Sequence, residues 1–525
     1  MPDDDAISPD DLAAAERLLM LAYDERRRRH LPEALARHQH GVEAMRELAF
    51  PNDLAPASVF SARAASDPLP PPRPPATHGR GFGRRPAGPD DAVHLTVPEL
   101  AVAYRDGTLR SRDVTEAFLA RIDGVGADLK AVVTVTAERA RTAADQADRD
   151  FASGVDRGPL QGIPWLAKDL LALPDGPTSW GAAPYREQRL DATAAVVDHL
   201  DAAGAVLLGK ASLGALAMGD VWFGGTTLNP WNVDEGSSGS SAGSAAGVAA
   251  GLATFAIGSE TMGSILSPSE RCRVVGLRPT FGRVSRHGAM ALAWSLDKLG
   301  PIARSVEDAA LVLTAIAGAD ARDPATREAP LPWTADGDVA GLRIGVPEDE
   351  HATPSAALAA ALATLRAGGA EVGPVALPEL PTEPVMTLLM VEASAAFDEL
   401  IRGEGADLLV RQTEDAWPTL LRAARFVSGA DYLQAQRLQR RIRDELTARF
   451  GEVDLIASSA LHREAMLFGN AAGAPVVTLP IGRDDAGATL GSVALMARPF
   501  FEHLAIAAGI ALERADGPLP VPPGY

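Results

Sequence analysis

Glycine and serine are concentrated between residues 235 and 269, in the segment EGSSGSSAGSAAGVAAGLATFAIGSETMGSILSPS. The segment runs into a predicted helix at Ala245–Leu252 and then into apolar residues, so we expect it inside the fold and not as a flexible linker. Glycine tolerates positive φ angles and lets other groups approach the backbone closely. Loops that hold an anion with backbone N–H groups need both properties. The composition therefore predicts an anion-holding loop here.

Several catalytic templates match this region poorly. Residues 239–243 fit G-x-S-x-G with Ser241 as nucleophile, but that motif needs a buried strand before it, and residues 229–235 predict a turn. No Lys followed by Ser or Thr completes a phosphate-binding loop. Residues 295–298 match S-x-x-K without its companion motifs S-D-N and K-T-G. There is no HExxH, and the ten histidines are scattered singly, so we predict no metal site.

A lone lysine, Lys168, follows an apolar run in the block GIPWLAKDLL. A hydroxyl nucleophile needs a base, and where no histidine is placed for it, a lysine kept neutral by burial can serve. Buried lysines are rare and costly. Two structural alternatives stay open at this point: the Lys168 side chain reaches the surface, or it pairs with Asp169.

Taken together, these blocks resemble the amidase signature family. The lysine block, the Gly/Ser run and GSETMGSI before VVGLRPTFGRVS carry the resemblance, together with LTVPELAVAYRDGTL, NPWN and GPIARSVEDAALVL. It covers about residues 95–515. The resemblance implies an α/β fold with a mixed central β-sheet covered by α-helices on both faces.

The resemblance also assigns roles. Lys168 matches the catalytic lysine of G-x-P-x-x-x-K-D, Ser240 matches the serine held next to a cis peptide, and Ser264 matches the nucleophile. The separations of 72 and 24 residues agree with the family pattern. Neutral Lys168 would accept a proton from Ser240, which accepts one from Ser264, whose oxygen attacks an amide carbonyl. An acyl-enzyme would form and water would resolve it.

The resemblance further implies an oxyanion hole made by the backbone N–H groups of Thr261, Met262, Gly263 and Ser264. Burial would supply the depressed pKa that Lys168 needs. Ser241 either orients Lys168 and the loop by hydrogen bonding or is a turn residue. No cofactor is implied.

The sequence departs from the commonest family pattern at several positions. The run at 238–244 replaces two glycines with serine and alanine, and Glu260, Met262 and Leu266 stand where D-T-G-G-S-I-R has aspartate, glycine and arginine. Peptide-amidase-like members also show E-T-x-G-S-I without arginine. Since all three catalytic types are present, we expect an active enzyme.

Other segments must position these residues. Residues 9–49 predict a mostly helical N-terminal extension (1–66) with a break at Pro32. Residues 67–92 form a Pro/Gly/Arg-rich linker, mobile or laid over the surface. The catalytic domain, 93–525, opens on a Thr96–Glu99 capping box and a second helix from Ser111.

Short apolar runs between helices predict the buried strands of this domain. They lie at 132–135, 205–208, 342–346, 455–457 and 476–479. Residues 354–450 predict a variable helical region that shapes the substrate pocket.

The charge balance weighs against nucleic-acid and membrane partners. Lys and Arg number 49 against 69 Asp and Glu, a net charge of −20, which disfavours broad binding to DNA or anionic lipid. The longest apolar stretch, Val248–Gly258, is about half of a membrane helix. One cysteine, Cys272, and an acidic N-terminus fit a cytoplasmic protein.

The sequence therefore predicts an amidase, a hydrolase of linear carboxamide C–N bonds, that releases ammonia or an amine. Its expected partners are a small-molecule amide and, in a homo-oligomer, its own copies. Two alternatives remain. One is a protein like the glutamine-hydrolysing chain of an amidotransferase, which would need a partner protein. The other is a catalytically lapsed member that binds or scaffolds.

Overall fold

The computed structural model describes residues 7–28, 31, 32, 35, 52, 59–64, 66–76, 78–483 and 489–525. Its α-helices span Pro9–Leu18, Glu25–Arg28, Val97–Arg105, Ser111–Asp123, Val125–Leu129, Ala137–Ala152, Ala195–Ala202, Ala242–Ala249, Leu266–Cys272, Val306–Ile316, Glu348–Ala352, Ala356–Ala367, Glu383–Ala396, Asp398–Arg402, Trp417–Ala424, Gly429–Arg449, Arg463–Ala472 and Glu502–Asp516. Among the described residues, none of these helices has the length and apolar character needed to cross a membrane.

The strands are β1 (Val132–Val135), β2 (Pro164–Lys168), β3 (Val206–Ala211), β4 (Val221–Trp222), β5 (Gly225–Thr226), β6 (Leu228–Asn229), β7 (Asn232–Gly236), β8 (Phe255–Glu260), β9 (Val275–Arg278), β10 (Lys298–Ala303), β11 (Arg343–Pro347), β12 (Glu371–Val375), β13 (Leu455–Ser459), β14 (Val476–Arg483) and β15 (Thr489–Ala497). Eleven of them form one sheet in the order β1-β3-β2-β8-β10-β9-β14-β15-β13-β11-β12. The pairs β2–β3, β2–β8, β11–β12 and β11–β13 are parallel, and the other pairs are antiparallel.

Helices pack on both faces of this mixed sheet, so the predicted α/β fold class is confirmed. All five apolar runs named above lie in strands, as β1, β3, β11, β13 and β14. The helical region 354–450 also contains β12, which pairs in parallel with β11 at one edge of the sheet. The capping box is present: the backbone N–H of Thr96 donates to Glu99 Oε2 at 2.9 Å.

The N-terminal extension begins with a helix, as expected, but its first break comes earlier than Pro32. Residues 19–24 are not helical, and Met20 takes a φ of 53°, in the left-handed region that ends a helix. The chain then folds back, so that Arg28 lies 2.7 Å from the carboxylate of Glu16. The rest of the helix predicted up to residue 49 lies largely outside the described residues.

The described part of the linker is hydrogen-bonded to residues within 93–525. The backbone N–H of Ala76 donates to Trp333 O at 3.1 Å, and that of Gly81 donates to Glu307 Oε2 at 2.8 Å. Arg84 binds Glu99 at 2.7 Å. Hydrogen bonds therefore tie the linker to residues 93–525, and its prolines make it stiff.

A buried ion pair joins the C-terminal helix to the loop after β9. Glu502 Oε2 lies 2.7 Å from Arg283 Nη2, and both side chains are buried. Glu502 Oε1 also accepts from the backbone N–H of Thr280 at 3.0 Å. Burial raises the pKa of Glu502, but the neighbouring Arg283 guanidinium outweighs it, so the net pKa is lowered and the carboxylate stays charged.

Removing this carboxylate should be costly. In Glu502→Ala the Arg283 guanidinium stays buried without a counter-charge, and we expect a loss of about 3–5 kcal/mol in the free energy of unfolding. Urea denaturation measures it. The control, Glu445→Ala, breaks a surface pair in which the Arg441 side chain is 67% exposed and the Glu445 side chain 34% exposed. It should cost at most about 0.5 kcal/mol in the free energy of unfolding. Equal losses in both variants would contradict the argument.

Candidate functional site

Three neighbouring strands place their carboxyl ends at one edge of the sheet. β2 lies between β3 and β8 and is parallel to both, so Lys168 at its end lies beside the last residues of those strands. Lys210 belongs to β3, and Ser259 and Glu260 end β8. Every residue of β2 is buried. The topology therefore forces the side chain of Lys168 into the interior.

The Lys168 amine is surrounded by hydroxyl groups. Its Nζ lies 2.9 Å from Ser240 Oγ, 2.9 Å from Ser241 Oγ and 2.7 Å from Ser259 Oγ. The side chain is fully buried. The alternative in which Lys168 reaches the surface is therefore wrong.

Burial lowers the pKa of Lys168 well below its usual range. The carboxylates of Asp297 and Glu260 oppose this shift from a distance, but desolvation is the larger effect. The Lys168 amine is therefore held in its neutral form more readily than an exposed lysine.

Asp169 does not pair with Lys168, so that second alternative is wrong as well. Asp169 Oδ1 lies 2.9 Å from Lys210 Nζ, with both side chains fully buried. Lys210 Nζ also donates to Thr178 Oγ1 at 2.6 Å, and Ser179 donates its hydroxyl to Asp169 Oδ2. The neighbouring carboxylate is thus neutralised by a different lysine, which leaves Lys168 without an anionic partner in contact among the described residues.

The Gly/Ser segment folds as a tight loop that leads into the helix Ala242–Ala249. The peptide bond between Gly239 and Ser240 is cis. A Cβ on Gly239 would lie 1.9 Å from the backbone oxygen of Gly219, so only glycine fits there. Ser241 Oγ accepts from the backbone N–H of Ser259 and donates to its carbonyl oxygen, both at 3.1 Å. These bonds fasten the loop to the end of β8.

Ser264 adjoins this loop through its main chain. The backbone N–H of Ser241 donates to the carbonyl oxygen of Ser264 at 3.2 Å. The Ser264 side chain is half-buried, and within the described chain its hydroxyl makes no hydrogen bond. The structure thus joins Lys168, Ser240 and Ser241 by their side chains and brings Ser264 beside them by the backbone alone.

The segment 261–264 offers unpaired donors. Gly263 has a φ of 92°, and the N–H groups of Met262, Gly263 and Ser264 donate to no acceptor in the described part of the chain. Such N–H groups can stabilise a developing oxyanion, provided that they point at it.

Glu260 holds this loop from behind. Its Oε2 accepts from the backbone N–H groups of Ile265 at 2.8 Å and Leu266 at 3.0 Å, and its Oε1 lies 2.8 Å from Arg278 Nη1. Burial raises the pKa of Glu260, but the positive charges of Arg278 and Lys298 outweigh burial, so the net pKa is lowered. An ionised Glu260 thus fixes the start of the helix Leu266–Cys272, directly after Ser264.

The competing templates do not assemble. The predicted turn is present at residues 230–231, but residues 232–236 form the exposed strand β7, whereas a nucleophile elbow needs a buried strand. In the S-x-x-K match, Lys298 binds Asn470 at 2.9 Å, whereas the Ser295 hydroxyl binds Glu392 at 2.6 Å. Among the described residues, no group of three or more His, Cys, Asp or Glu is placed to hold a metal ion.

Sequence reasoning missed Ser259 and Lys210. Ser259 provides the shortest contact to Lys168, and Lys210 neutralises Asp169. Ser259 lies in the segment GSETMGSI. Side chains along β8 alternate between the two faces of the sheet, and this alternation could have placed the Ser259 side chain on the face where Ser241 and Lys168 meet. No local signal marks Lys210, since its partner is 41 residues earlier in the chain.

A cavity of about 210 Å³ opens next to this cluster. It is lined by Leu170, Ala217, Ser259, Thr261, Arg286, His287, Ala289, Met290, Ala291, Leu292, Trp294, Asp297, Leu299, Arg322, Asp323 and Pro324. A second cleft of about 570 Å³ lies alongside, and residues 395–402 of the predicted pocket region line part of it.

Comparison with known proteins gives consistent similarities. The profile of the family described as Amidase matches residues 113–478. The A subunit of the glutamyl-tRNA(Gln) amidotransferase of Alkalilimnicola ehrlichii is 37% identical over 414 residues, 73% of this chain and 85% of that protein. Its counterpart in Geobacter metallireducens is 35% identical, covering 80% and 97%. The peptide amidase of Stenotrophomonas maltophilia is 32% identical, with a TM-score of 0.73 over 82% of this chain and 99% of that one.

The contacts of Lys168 predict how its pKa responds to substitution. A hydroxyl acceptor stabilises the charged amine, so Ser259→Ala should lower the pKa of Lys168 further. NMR titration of the labelled lysine Nζ measures the shift. Ser259→Thr keeps the hydroxyl and should leave the pKa unchanged. A rise in Ser259→Ala, or equal shifts in both variants, would show that Ser259 does not stabilise the ammonium.

Proposed function

This chain belongs to the amidase family, and from that premise we propose that it hydrolyses the C–N bond of a carboxamide with Ser264 as nucleophile and Lys168 as base. The observation that carries the proposal is the buried Lys168 amine, 2.9 Å from Ser240 Oγ, beside a carboxylate that Lys210 already neutralises. A neutral amine in this position can remove a proton from a serine, which an ammonium cannot.

The hydrogen bonds favour Ser240 as the proton donor to Lys168. The Ser241 hydroxyl gives its own proton to the carbonyl oxygen of Ser259, so Ser241 Oγ can only accept from Lys168 Nζ. A neutral amine has two N–H donors and one lone pair. With Ser241 and Ser259 as acceptors, the lone pair is left for the proton of Ser240.

The reaction then proceeds from Ser264. Ser240 passes its proton to Lys168 and receives the proton of Ser264, whose oxygen attacks the carbonyl carbon. The N–H groups of Thr261, Met262, Gly263 and Ser264 would hold the oxyanion of the tetrahedral intermediate. Collapse breaks the C–N bond, and the proton returned through Ser240 leaves with ammonia or an amine. Water then hydrolyses the acyl-enzyme by the same route.

This assignment requires Ser264 and Ser240 to meet through their hydroxyl groups. The main-chain bond between Ser241 and Ser264 keeps the two serines in neighbouring positions, and a rotation of the Ser264 side chain would complete the contact. Catalytic hydrogen bonds are often made only when substrate is bound. Turnover should fall as the pH drops through the lowered pKa of Lys168, because protonation removes the base.

The departures from the common family pattern are accommodated, which supports an active enzyme over a lapsed one. Glu260 reaches Arg278 and two backbone N–H groups, so the longer carboxylate is fully used. Leu266 is buried and packs in the core around Ile456 and Phe468. Met262 is only partly buried, and the N–H groups of residues 262–264 stay unpaired within the described chain.

A second candidate is the glutamine-hydrolysing chain of an amidotransferase. The names of the two curated relatives favour it, since both are components of glutamyl-tRNA(Gln) amidotransferases, with 35–37% identity to this chain. Such a component would work with a partner protein that accepts its ammonia. Both candidates use the same hydrolytic centre. We also place the protein in the cytoplasm, which its single buried cysteine supports.

The two candidates differ in what they need for turnover. We expect the isolated chain to release ammonia from simple carboxamides, measured by coupled ammonia detection without any other protein. Glutamine is the comparison substrate. Ammonia release from glutamine alone, and only after a partner protein is added, would favour the amidotransferase component over the free-standing amidase.

Ser264→Ala and Lys168→Ala should each reduce kcat/KM by at least about 10³-fold, because members of a catalytic unit fail together. Ammonia release measures the loss, and thermal unfolding should confirm that both variants fold. The matched control is Ser267→Ala, on the same segment, whose hydroxyl binds Ser238 at 2.7 Å. It should keep activity within about tenfold. Retained turnover in Ser264→Ala would refute the nucleophile.

A further inference from the structure

Resting on the proposed hydrolysis, we infer that the cavity beside Thr261 binds the acyl group of the substrate and that this group is uncharged and apolar. The position of the cavity is the first argument. Its wall includes Ser259, which contacts Lys168, and Thr261, which begins the segment of unpaired N–H groups. The cavity therefore adjoins the start of the segment 261–264, at whose end the carbonyl carbon of the substrate would lie.

The size of the cavity limits the group that it can hold. A dry apolar cavity of about 150 Å³ takes up benzene in another protein. The cavity here measures about 210 Å³, which accommodates a phenyl ring on a one-carbon or two-carbon arm. Its apolar wall includes Leu170, Met290, Leu292, Leu299 and Pro324. Burying an apolar group against this wall is favourable by the area removed from water.

The charged groups at the cavity are already neutralised. Arg286 is bound to Asp323 at 2.9 Å and donates to Trp294 O at 2.6 Å. Arg322 is bound to Asp320 at 3.0 Å. Among the described lining residues, neither arginine is therefore free to take the carboxylate of an amino-acid substrate. A substrate carboxylate would lose its water without gaining a counter-charge.

Asp297 likewise makes three hydrogen bonds within the protein. Its two oxygens accept from Thr261 Oγ1 at 2.6 Å and from the backbone N–H groups of Leu292 at 2.8 Å and Ala293 at 2.9 Å. Burial raises the pKa of Asp297 above its usual range. Asp297 instead ties the cavity wall to the loop that carries Ser264.

The N-terminal extension fixes this wall from the outside. The Asn52 side-chain amide bonds both backbone groups of Ala291, accepting at 2.6 Å and donating at 3.0 Å, and the Asn52 backbone carbonyl accepts from Trp294 Nε1 at 3.2 Å. Ala291 and Trp294 both line the cavity. The wall is therefore held in place before substrate arrives, which lowers the entropic cost of binding.

Calorimetry with the Ser264→Ala variant of the full chain tests this inference without turnover. Phenylacetamide should bind at least about 100-fold more tightly than glutamine, because glutamine brings two unpaired charges into an apolar cavity. Glutamine binding that equals or exceeds phenylacetamide binding would overturn the inference.

Two added substitutions locate the binding. Ala291→Phe fills the cavity and should weaken phenylacetamide binding by at least about tenfold, whereas Ala395→Phe places the same ring in the neighbouring cleft and should not. Leu292→Ala should raise the affinity for the longer 4-phenylbutanamide relative to that for phenylacetamide. Because both affinities are measured on the same variant, their ratio does not depend on its stability. Equal affinities in Ala291→Phe and Ala395→Phe, with no shift in Leu292→Ala, would place the ligand elsewhere.

Turnover by the unsubstituted chain separates the two proposals. If phenylacetamide binds in the cavity but no amide of a broad panel is hydrolysed, the proposed function is contradicted and the binding inference stands. Hydrolysis of glutamine together with weak phenylacetamide binding contradicts the inference and leaves the proposed function standing.

Discussion

The candidate site depends on one constraint: the Lys168 amine is buried while two neighbouring carboxylates, one next in the chain and one at the end of the adjacent strand, are paired with other cations. Asp169 is bound by Lys210, and Glu260 is bound by Arg278. Either carboxylate in contact with Lys168 would stabilise its charged form and raise its pKa. The two buried pairs therefore do more than stabilise the fold, because they keep two counter-charges away from a lysine that would have to be neutral for its proposed role as a base.

Sheet topology explains why these groups meet. β2 runs parallel between β3 and β8, so the carboxyl ends of three strands lie together although they are far apart in sequence. Lys168, Lys210 and Ser259 come from those three ends. The Gly/Ser loop then crosses the same edge, and its bonds to Ser259 fix the hydroxyl groups around the amine. The chemistry is thus a consequence of strand order.

The sequence predicted the α/β class, the positions of five strands and the segments that form the site, because apolar periodicity and glycine content are local signals. It placed Lys168 near Ser240 and Ser241 through a family resemblance. It could not identify Lys210 as the partner of Asp169, since pairing across strands depends on register and not on local pattern. The turn expected before the Gly/Ser loop is present at residues 230–231, where it joins β6 to β7, and pairing of these two strands makes residues 232–236 a strand.

The proposed hydrolytic centre and the proposed substrate cavity are built from different parts of the chain, which is one way in which relatives with one fold can differ in function. Strand ends carry the lysine and the hydroxyl groups, and these positions are constrained by the burial of β2 and by the close backbone approach at Gly239. The cavity wall comes largely from the loop residues 286–294 and 322–324. Loops tolerate substitution better than buried strands. The identity of the relatives therefore bears on the proposed hydrolytic centre, whereas the paired charges and apolar wall of this chain's own cavity bear on the substrate proposed for it.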